Sequence, residues 1–273
     1  MSARIHPLAL VDPDARLGDD VVVGPFAWIG AGVEIGDGCE IGAHAAIHGP
    51  TKIGRQNRIY AHACLGFDPQ DLKFSGEVVR LEVGDRNVIR EFVTFHRGTG
   101  KGGGLTRVGD ENLFMVYSHV AHDCQVGSRT IFANCATLAG HVEVGDDAIV
   151  GAFSAVQQFG RIGRHAYIGG YTRLLVDALP FVKTVGLRPA VYGVNRIGLR
   201  RKGLSDERIK ILQRAFRILL RSKLNMTQAL ERLEGELGGE EDVRYLVSFI
   251  RSARRGVVRS LPTERQEESG GVD

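Results

Sequence analysis

The sequence has no long hydrophobic segment. None of its uninterrupted apolar runs approaches the roughly 18 residues that cross a bilayer, and residues 1–30 contain no continuous apolar core of a signal peptide. Cysteine is scarce, with four residues in 273, and the four form no CxxC pair, which excludes a zinc ribbon and a thioredoxin motif. We therefore expect a cytoplasmic protein with reduced thiols and no membrane span.

A P-loop is also missing. The glycine-rich stretch 97–107 (RGTGKGGGLTR) is not followed by Gly-Lys-Ser/Thr, and no crossover helix is signalled behind it.

Charge is unevenly distributed. Residues 1–182 carry 16 basic and 20 acidic side chains, a net −4, whereas residues 183–273 carry 19 basic and 12 acidic side chains, a net +7. The basic part predicts an acidic partner: nucleic acid, a membrane surface, a phosphate ligand or an acidic protein.

A six-residue repeat dominates residues 1–182. Apart from two interruptions, every sixth residue from Ile5 to Leu174 is Ile, Leu, Val or Phe, and Gly follows 14 of these 26 positions, here called slots. The period matches neither a helix nor a simple strand and is typical of hexapeptide parallel β-helices. We predict a β fold with triangular 18-residue coils whose slot side chains stack inward. The Gly after a slot is expected to serve a tight corner, through a positive φ or close backbone packing.

The two interruptions are predicted to be projecting loops, at residues 66–82 and 97–107. Insertions of this kind in a solenoid are often functional. From residue 183 onward we predict a C-terminal α-helical domain, because a helical stripe begins behind Ser205 and further helices are indicated at 227–237 and 240–252. Residues 261–273 are polar and are expected to fray.

Stacking by 18 residues gathers polar side chains on one edge of the prism. Gly140 falls above His122 and His141 above Asp123. Between Phe95 and Val108 the repeat contains one spacing of seven residues in place of six, here called the seven-residue slip, and with it His96 falls beneath Ala121. The edge then comprises His96, His122, Asp123, Gly140, His141 and Gln158. Such a group suggests a general base (His122), an acid that orients it (Asp123) and a Gly N–H for an oxyanion.

Other interpretations of these residues remain open. Polar turn residues of a solvated edge would show the same pattern, and for a single histidine that is the commoner case. His96, His119 and His122 resemble the zinc ligands of the γ-class carbonic anhydrases, which share this fold, although that class spaces its paired histidines more widely. The run Arg200-Arg201-Lys202 could bind a phosphate, an acidic protein or a lipid headgroup. Alternatively, it is the charged start of a helix that faces solvent.

Longer strings make a family resemblance specific. HGPTKIGRQNRIY (48–60), QDLKFSGE (70–77), TFHRGTGKGGGLTRVG (94–109), HVAHDCQVG (119–127), ATLAGHVEV (136–144) and GVNRIGLRRKG (193–203) resemble the UDP-N-acetylglucosamine 3-O-acyltransferases. These enzymes carry out the first step of lipid A biosynthesis. The similarity runs in order along nearly the whole chain, and it implies a left-handed coil and a homotrimer.

The resemblance also implies roles for single residues. His122 would take the proton of the glucosamine 3-hydroxyl, Asp123 would orient His122, and the Gly140 N–H would stabilise the oxyanion. The acyl donor would be an (R)-3-hydroxyacyl acyl carrier protein and the acceptor UDP-N-acetylglucosamine, with no cofactor, metal or nucleic acid. The positions that would line the substrate site are Asp71, Lys73, His96, His119, His141, Gln158, Gly170, Asn195 and Arg201.

Within that set, the resemblance places the residue matching Gly170 at the end of the acyl groove. It also places Asn195 and Arg201 on a neighbouring subunit's site. Gln157, Ile197 and Lys202 depart from the family pattern on the nucleotide side. They leave open a paralogue that N-acylates a 3-amino nucleotide sugar. A coenzyme A-dependent sugar acetyltransferase and a solenoid without a site are the weaker alternatives.

Overall fold

The structure, a computed structural model, describes residues 2–261. Short parallel strands form three sheets, here called sheets 1, 2 and 3, and the chain visits them in turn, which confirms the predicted left-handed parallel β-helix. Sheet 1 comprises Arg4–Ile5, Val22–Val23, Glu40–Ile41, Arg58–Ile59, Val88–Ile89, Leu113–Phe114, Ile131–Phe132, Ile149–Val150, Tyr167–Ile168, Val182–Val185 and Ala190–Val194. Sheet 2 comprises Leu10–Val11, Trp28–Ile29, Ala46–Ile47, Cys64–Phe67, Thr94–His96, His119–Val120, Thr137–Leu138, Ala155–Val156 and Arg173–Leu174. Sheet 3 comprises Arg16–Leu17, Val33–Ile35, Thr51–Ile53, Arg80–Val83, Leu105–Val108, Gln125–Val126, Glu143–Val144 and Arg161–Ile162.

The slot side chains form the core of the prism. All 26 except Ile5, Val11 and Leu17 are buried, and these three belong to the first coil, which packs against a neighbouring coil on one side only. Phe114 and Phe132 stack on successive coils of sheet 1 with ring centroids 4.8 Å apart, and Phe95 of sheet 2 meets Phe114 edge to face at 4.7 Å. Each slot therefore buries its side chain against its equivalents one coil away, which is the main source of stability in a solenoid.

A polar ladder accompanies this apolar core. Asn57 Oδ1 accepts from the backbone N–H of Asn87, Asn87 Oδ1 from that of Asn112, and Asn112 Oδ1 from that of Thr130, all at 2.7–2.9 Å. The Thr130 hydroxyl also donates to Asn112 Oδ1 at 2.7 Å. The ladder satisfies backbone N–H groups that would otherwise be buried without a partner at one corner of successive coils.

The corners confirm one of the two expected uses of the Gly after a slot, close backbone packing. Of the 14 Gly residues after a slot, only Gly66, at the first insertion, has a positive φ. Close packing is seen at Gly36, where a Cβ would lie 2.8 Å from the backbone of Gly54. The positive φ falls three residues after the slot, where 18 of the 19 non-glycine residues with positive φ stand, among them Asp123 and His141. In most coils this conformation directs the N–H to a carbonyl of the preceding coil, as in His141 N–H to His122 O at 2.9 Å. That hydrogen bond offsets the cost of the left-handed conformation.

The first insertion is accompanied by a local register shift, since Leu65 pairs with Phe95 but Phe67, and not Gly66, pairs with His96. The first loop is shorter than the predicted 66–82, because residues 66–67 and 80–82 belong to the strands Cys64–Phe67 and Arg80–Val83. The second loop is shorter than predicted. Residues 105–107 belong to the strand Leu105–Val108, which pairs with Arg80–Val83 because Thr106 and Val108 supply its inward-facing side chains. A short 3₁₀ turn, Gly100–Gly102, closes the remaining loop.

The C-terminal part starts with sheet, not helix. Residues 183–194, which the sequence assigned to the helical domain, form two antiparallel strands that extend sheet 1. Four helices follow: α1 (Arg196–Arg201), α2 (Asp206–Arg221), α3 (Met226–Leu237) and α4 (Glu241–Arg251). Ser205 caps α2 as predicted, by accepting from the Arg208 N–H at 3.3 Å. The division into two domains stays a prediction, and the expected fraying of residues 261–273 lies, apart from Leu261, outside the described residues.

Among residues 2–261, no helix is long and apolar enough to span a bilayer.

Candidate active site

His122 and Asp123 lie where the chain leaves sheet 2 and turns towards sheet 3. His122 Nδ1 is 2.8 Å from Asp123 Oδ2, and both side chains are buried. A carboxylate only accepts hydrogen bonds, so Nδ1 of a neutral His122 carries the proton and Nε2 presents a lone pair. This tautomer is the one that a general base requires. The corner that carries these two residues and their equivalents on adjacent coils is here called the catalytic corner.

Asp123 is held from the glycine-rich loop. The Thr99 N–H donates to Asp123 Oδ1 at 2.9 Å, and the Thr99 hydroxyl donates to Oδ2 at 2.7 Å. The Asp123 backbone N–H donates to Thr106 Oγ1 at 2.7 Å, which replaces the inter-coil backbone bond made at most other corners. The sequence interpretation missed both threonines, because they lie within the second interruption, residues 97–107, where the repeat gives no register.

Gly140 stacks on the imidazole of His122. A Cβ at Gly140 would lie 2.6 Å from His122 Nε2 and 3.0 Å from Nδ1. Among the described residues, the Gly140 N–H has no hydrogen-bond acceptor. The 18-residue stacking of Gly140 over His122 is therefore confirmed, and it leaves a backbone donor beside the candidate base.

Three further histidines surround this pair. The rings of His122 and His141 meet edge to face at 5.1 Å, and His141 Nε2 lies 3.6 Å from Asp123 Oδ2. His96, on the preceding coil, and His119, on the same coil as His122, make the same edge-to-face contact with ring centroids 5.1 Å apart. Thr94 Oγ1 is 2.6 Å from His119 Nδ1.

Burial keeps these outer histidines neutral. Burial, followed by the neighbouring His119 and His122, lowers the pKa of His96 to about 4. Burial also lowers the pKa of His119, and it lowers that of His141 although the Asp123 carboxylate opposes the shift. A site with neutral histidines around one carboxylate suits a neutral or anionic substrate and proton transfer near pH 7.

The loop at 66–82 reaches over this corner. Asp71 accepts from the backbone N–H of Lys73 at 3.0 Å, and its charge acts on His141. Glu77 Oε1 accepts from the Gly100 N–H at 3.1 Å, which joins the two loops. Backbone N–H groups, first that of Ser75, lower the pKa of Glu77 to about 2, so this carboxylate remains charged. The loops therefore support each other above the candidate site.

Comparison with known proteins decides the family. A family model described as UDP N-acetylglucosamine O-acyltransferase, domain 2, matches residues 177–258. An acyl-[acyl-carrier-protein]–UDP-N-acetylglucosamine O-acyltransferase of Halorhodospira halophila is 52% identical over 256 residues, which cover 94% of this chain and 99% of that protein. The chain belongs to this acyltransferase family. A protein of the same name from Myxococcus xanthus is 49% identical and covered over its full length, against 94% of this chain.

Solved structures of the acyltransferase family have the same fold. The UDP-N-acetylglucosamine acyltransferase of Bacteroides fragilis is 41% identical, with a TM-score of 0.91 over 93% of this chain and 100% of that chain. The enzyme of Francisella novicida is 34% identical, with a TM-score of 0.92 over 98% of this chain and 99% of that chain. The likeness includes the C-terminal helices, since it extends well beyond the coil.

Not all residues singled out by the acyltransferase resemblance meet in one chain. Gln158 follows Gly140 on the next coil, and its carbonyl accepts from Arg255 at 2.8 Å. Gly170 lies at the corner between sheets 1 and 2, exposed. Asn195 caps α1 and donates to the carbonyl of His165, at the corner between sheets 3 and 1. Arg201 is exposed on α1. The last three are therefore separate from the catalytic corner within the chain.

Two of the three residues in the basic run Arg200-Arg201-Lys202 form ion pairs within the chain. Arg200 pairs with Asp206 at 2.7 Å, and Lys202 pairs with the buried Asp147 at 2.8 Å. Burial opposes ionisation of Asp147, but hydrogen bonds from Arg129 and Lys202 outweigh it and lower its pKa. Of the run, Arg201 alone has no ion-pair partner among the described residues. Lys202 is thus a structural residue here, which the sequence did not predict.

The zinc alternative is not supported by the arrangement of side chains. It required His96, His119 and His122 to converge on one ion. Among residues 2–261, only one group of three or more His, Cys, Asp or Glu residues has ligand atoms close enough to hold a metal ion, and it consists of His122, Asp123 and His141. In that group His122 Nδ1 faces Asp123, and both carboxylate oxygens already accept hydrogen bonds from Thr99. Those contacts suit a proton-transfer pair better than a ligand set.

Proposed function

We propose that this chain transfers an (R)-3-hydroxyacyl group from acyl carrier protein to the 3-hydroxyl of UDP-N-acetylglucosamine, the first step of lipid A biosynthesis. Family membership over nearly the full chain supports the reaction, because the relatives carry that donor and acceptor in their names. The single observation that carries the mechanism is the buried His122–Asp123 hydrogen bond beneath the Gly140 N–H.

The proposed chemistry follows from the tautomer of His122. Nε2 accepts the proton of the sugar 3-hydroxyl as its oxygen attacks the thioester carbonyl. The carbonyl oxygen becomes an oxyanion, which the Gly140 N–H stabilises. Collapse of this intermediate breaks the carbon–sulfur bond, and the proton passes from His122 to the departing thiolate. The Asp123 carboxylate stabilises the imidazolium that forms in between.

The remaining site residues receive substrate roles in this proposal. His96, His119 and His141 line the acceptor side as uncharged hydrogen-bonding groups, and Asp71 and Lys73 contact the sugar and acyl chain from the loop. Gln158, Asn195 and Arg201 approach the diphosphate and nucleotide, and Gly170 ends the acyl groove. No metal or cofactor takes part. A cytoplasmic location remains a prediction.

A homotrimer would complete the site. Asn195 and Arg201 lie at another corner of the prism in the same chain, so they reach a catalytic corner only on a neighbouring copy. The outward side chains of the three sheets differ accordingly. Sheet 3 presents a column of charge, including Arg16–Glu34 and Arg107–Glu82 pairs, whereas sheet 1 presents the half-buried apolar Val88, Leu113, Ile131 and Ile149. An apolar strip of this kind suits a subunit interface.

The donor would approach from the basic C-terminal part. Acyl carrier protein is acidic, and the net +7 of residues 183–273 offers the complementary field. Arg201 is the member of the basic run left available for such a partner. The 3-amino acceptor stays a second candidate, on the ground that Gln157 and Ile197 depart from the family pattern on the nucleotide side and are exposed.

Product mass spectrometry tests the proposal. The purified protein is incubated with UDP-N-acetylglucosamine or its 3-amino analogue and with 3-hydroxyacyl carrier proteins of different lengths. We expect an O-acylated product, and a loss of about 10² to 10⁴ in rate for His122→Ala. His6→Ala, an exposed histidine on the first coil, is the matched control. No acyl transfer to either acceptor would refute the function; a third of normal turnover in His122→Ala would refute the role of His122.

A further inference from the structure

The glycine-rich loop was singled out by the sequence and has no role in the reaction proposed above. In the structure it encloses the carboxylate of Asp123. Thr99 supplies two donors, its N–H to Oδ1 at 2.9 Å and its hydroxyl to Oδ2 at 2.7 Å. The same hydroxyl accepts from the Gly102 N–H at 3.1 Å, so its proton is directed at Asp123. Thr99 is 4% exposed, so water cannot readily replace these bonds.

Two glycines of the loop are required by this enclosure. A Cβ at Gly102 would overlap the Asp123 carboxylate, and a Cβ at Gly98 would lie 2.9 Å from Asp123 Oδ1. Any other residue at either position would push the loop away from the carboxylate. At these two positions glycine is required because the backbone closely approaches a buried side chain.

We propose that Thr99 is a positioning residue for the reaction, which acts on the base His122 through Asp123. Its hydroxyl binds Oδ2, the same oxygen that accepts the His122 Nδ1–H. It therefore fixes the direction of that oxygen and takes up part of its negative charge. The proposal rests on the proposed function, in which His122 is the base.

Removal of the hydroxyl has a predictable effect on proton affinity. The negative charge on Oδ2 would face His122 with one donor fewer, so the imidazolium form of His122 would be favoured. The other groups around this pair are His141, 3.6 Å from Oδ2, and the more distant His96, His119 and Asp71. Burial lowers the pKa of His96, His119 and His141, so these neighbours are neutral near pH 7, and the Asp123 charge dominates.

Thr99→Val tests the inference because it removes the hydroxyl and keeps the shape. We expect kcat to fall about ten- to a hundredfold, with little change in KM for the nucleotide sugar. The acid limb of the kcat/KM profile should move up by about half a pH unit or more. Thr99→Ser, which restores the donor, should recover most of the loss. Thr130→Val removes another buried threonine hydroxyl bonded at 2.7 Å, far from the site, and should lower thermal stability while leaving kcat and the profile unchanged.

A double-mutant cycle separates positioning from loop folding. If Thr99 acts through Asp123, Thr99→Val should cost less than twofold in an Asp123→Asn background. Equal losses in both backgrounds, or an unmoved acid limb in Thr99→Val, would overturn the inference while acyl transfer by the unmodified chain still supported the function. Absence of acyl transfer in the unmodified chain would instead refute the function itself.

Discussion

Gly140→Ala adds a single methyl group against the candidate base and keeps the backbone N–H that is proposed to bind the oxyanion. The new Cβ would lie within 3.0 Å of three atoms of the His122 ring, among them Nε2 at 2.6 Å. Carbon and nitrogen atoms in contact need about 3.5 Å. The imidazole must therefore move by roughly 1 Å, or the coil must open by that distance.

Neither adjustment is easy. The ring is fixed by the 2.8 Å bond to Asp123, and Asp123 is itself held by Thr99. The coils are joined by the His141 N–H to His122 O and Phe159 N–H to Gly140 O bonds at 2.9 and 3.1 Å. A displacement of about 1 Å at a reacting group costs about 10² in rate. We expect Gly140→Ala to lose that factor in kcat and to lose some thermal stability.

The assay is steady-state acyl transfer together with thermal unfolding of the same preparations. Gly235→Ala is the control, because Gly235 is exposed in α3 and a Cβ there meets nothing within 4 Å. It should retain full activity and gain about 0.5–1 kcal/mol of stability from helix propensity. If Gly140→Ala folds and keeps more than a third of normal kcat, the stacking of Gly140 on His122 does not matter for the reaction.

Three other outcomes are expected. Gly170→Met should shift the preference towards acyl chains several methylenes shorter, because a Cβ there meets only the Ala152 backbone at 3.3 Å, which leaves the methionine side chain room to fill the groove. An unchanged distribution of product chain lengths would mean that the groove ends elsewhere. Arg201→Glu should raise KM for the acyl donor most at low salt, with an unchanged melting temperature, and a salt-independent KM would contradict a charged partner. His96 has a folded pKa of about 4, below its usual 6.5, so its contribution to the free energy of unfolding is lost as pH falls from about 6.5 to 4. The free energy of unfolding in urea should therefore be lower at pH 5 than at pH 7 by up to about 2 kcal/mol because of this residue, and the difference should be smaller in His96→Gln.

The repeat made most of the fold predictable. Eighteen-residue stacking requires only a constant period, and it correctly set Gly140 over His122 and His141 beside Asp123. Even across the seven-residue slip it set Phe95 against Val120. These predictions succeed because backbone hydrogen bonds between coils fix the register regardless of which polar side chains occupy the corners.

Other structural features could not be predicted from the sequence, for identifiable reasons. Phe, His, Tyr and Arg occupy corner positions with positive φ, although a local rule would place Gly or Asn there, because inter-coil hydrogen bonds override local preference. Thr99 lies in a loop that has no period, so its contact with Asp123 had no signal. The separation of Asn195 and Arg201 from His122 depends on how the last strands turn back, which the residue pattern did not show.

The position of the catalytic corner along the prism affects its exchange with solvent. Five strands of sheet 2 precede His119–Val120 and two follow Thr137–Leu138, and each coil contacts only its two neighbours. Fraying from either end must therefore detach coil after coil before it reaches the amides of His141 and Phe159, which are bonded across the site. Those amides should exchange with deuterium as slowly as any in the protein, whereas the amides of the first coil exchange early.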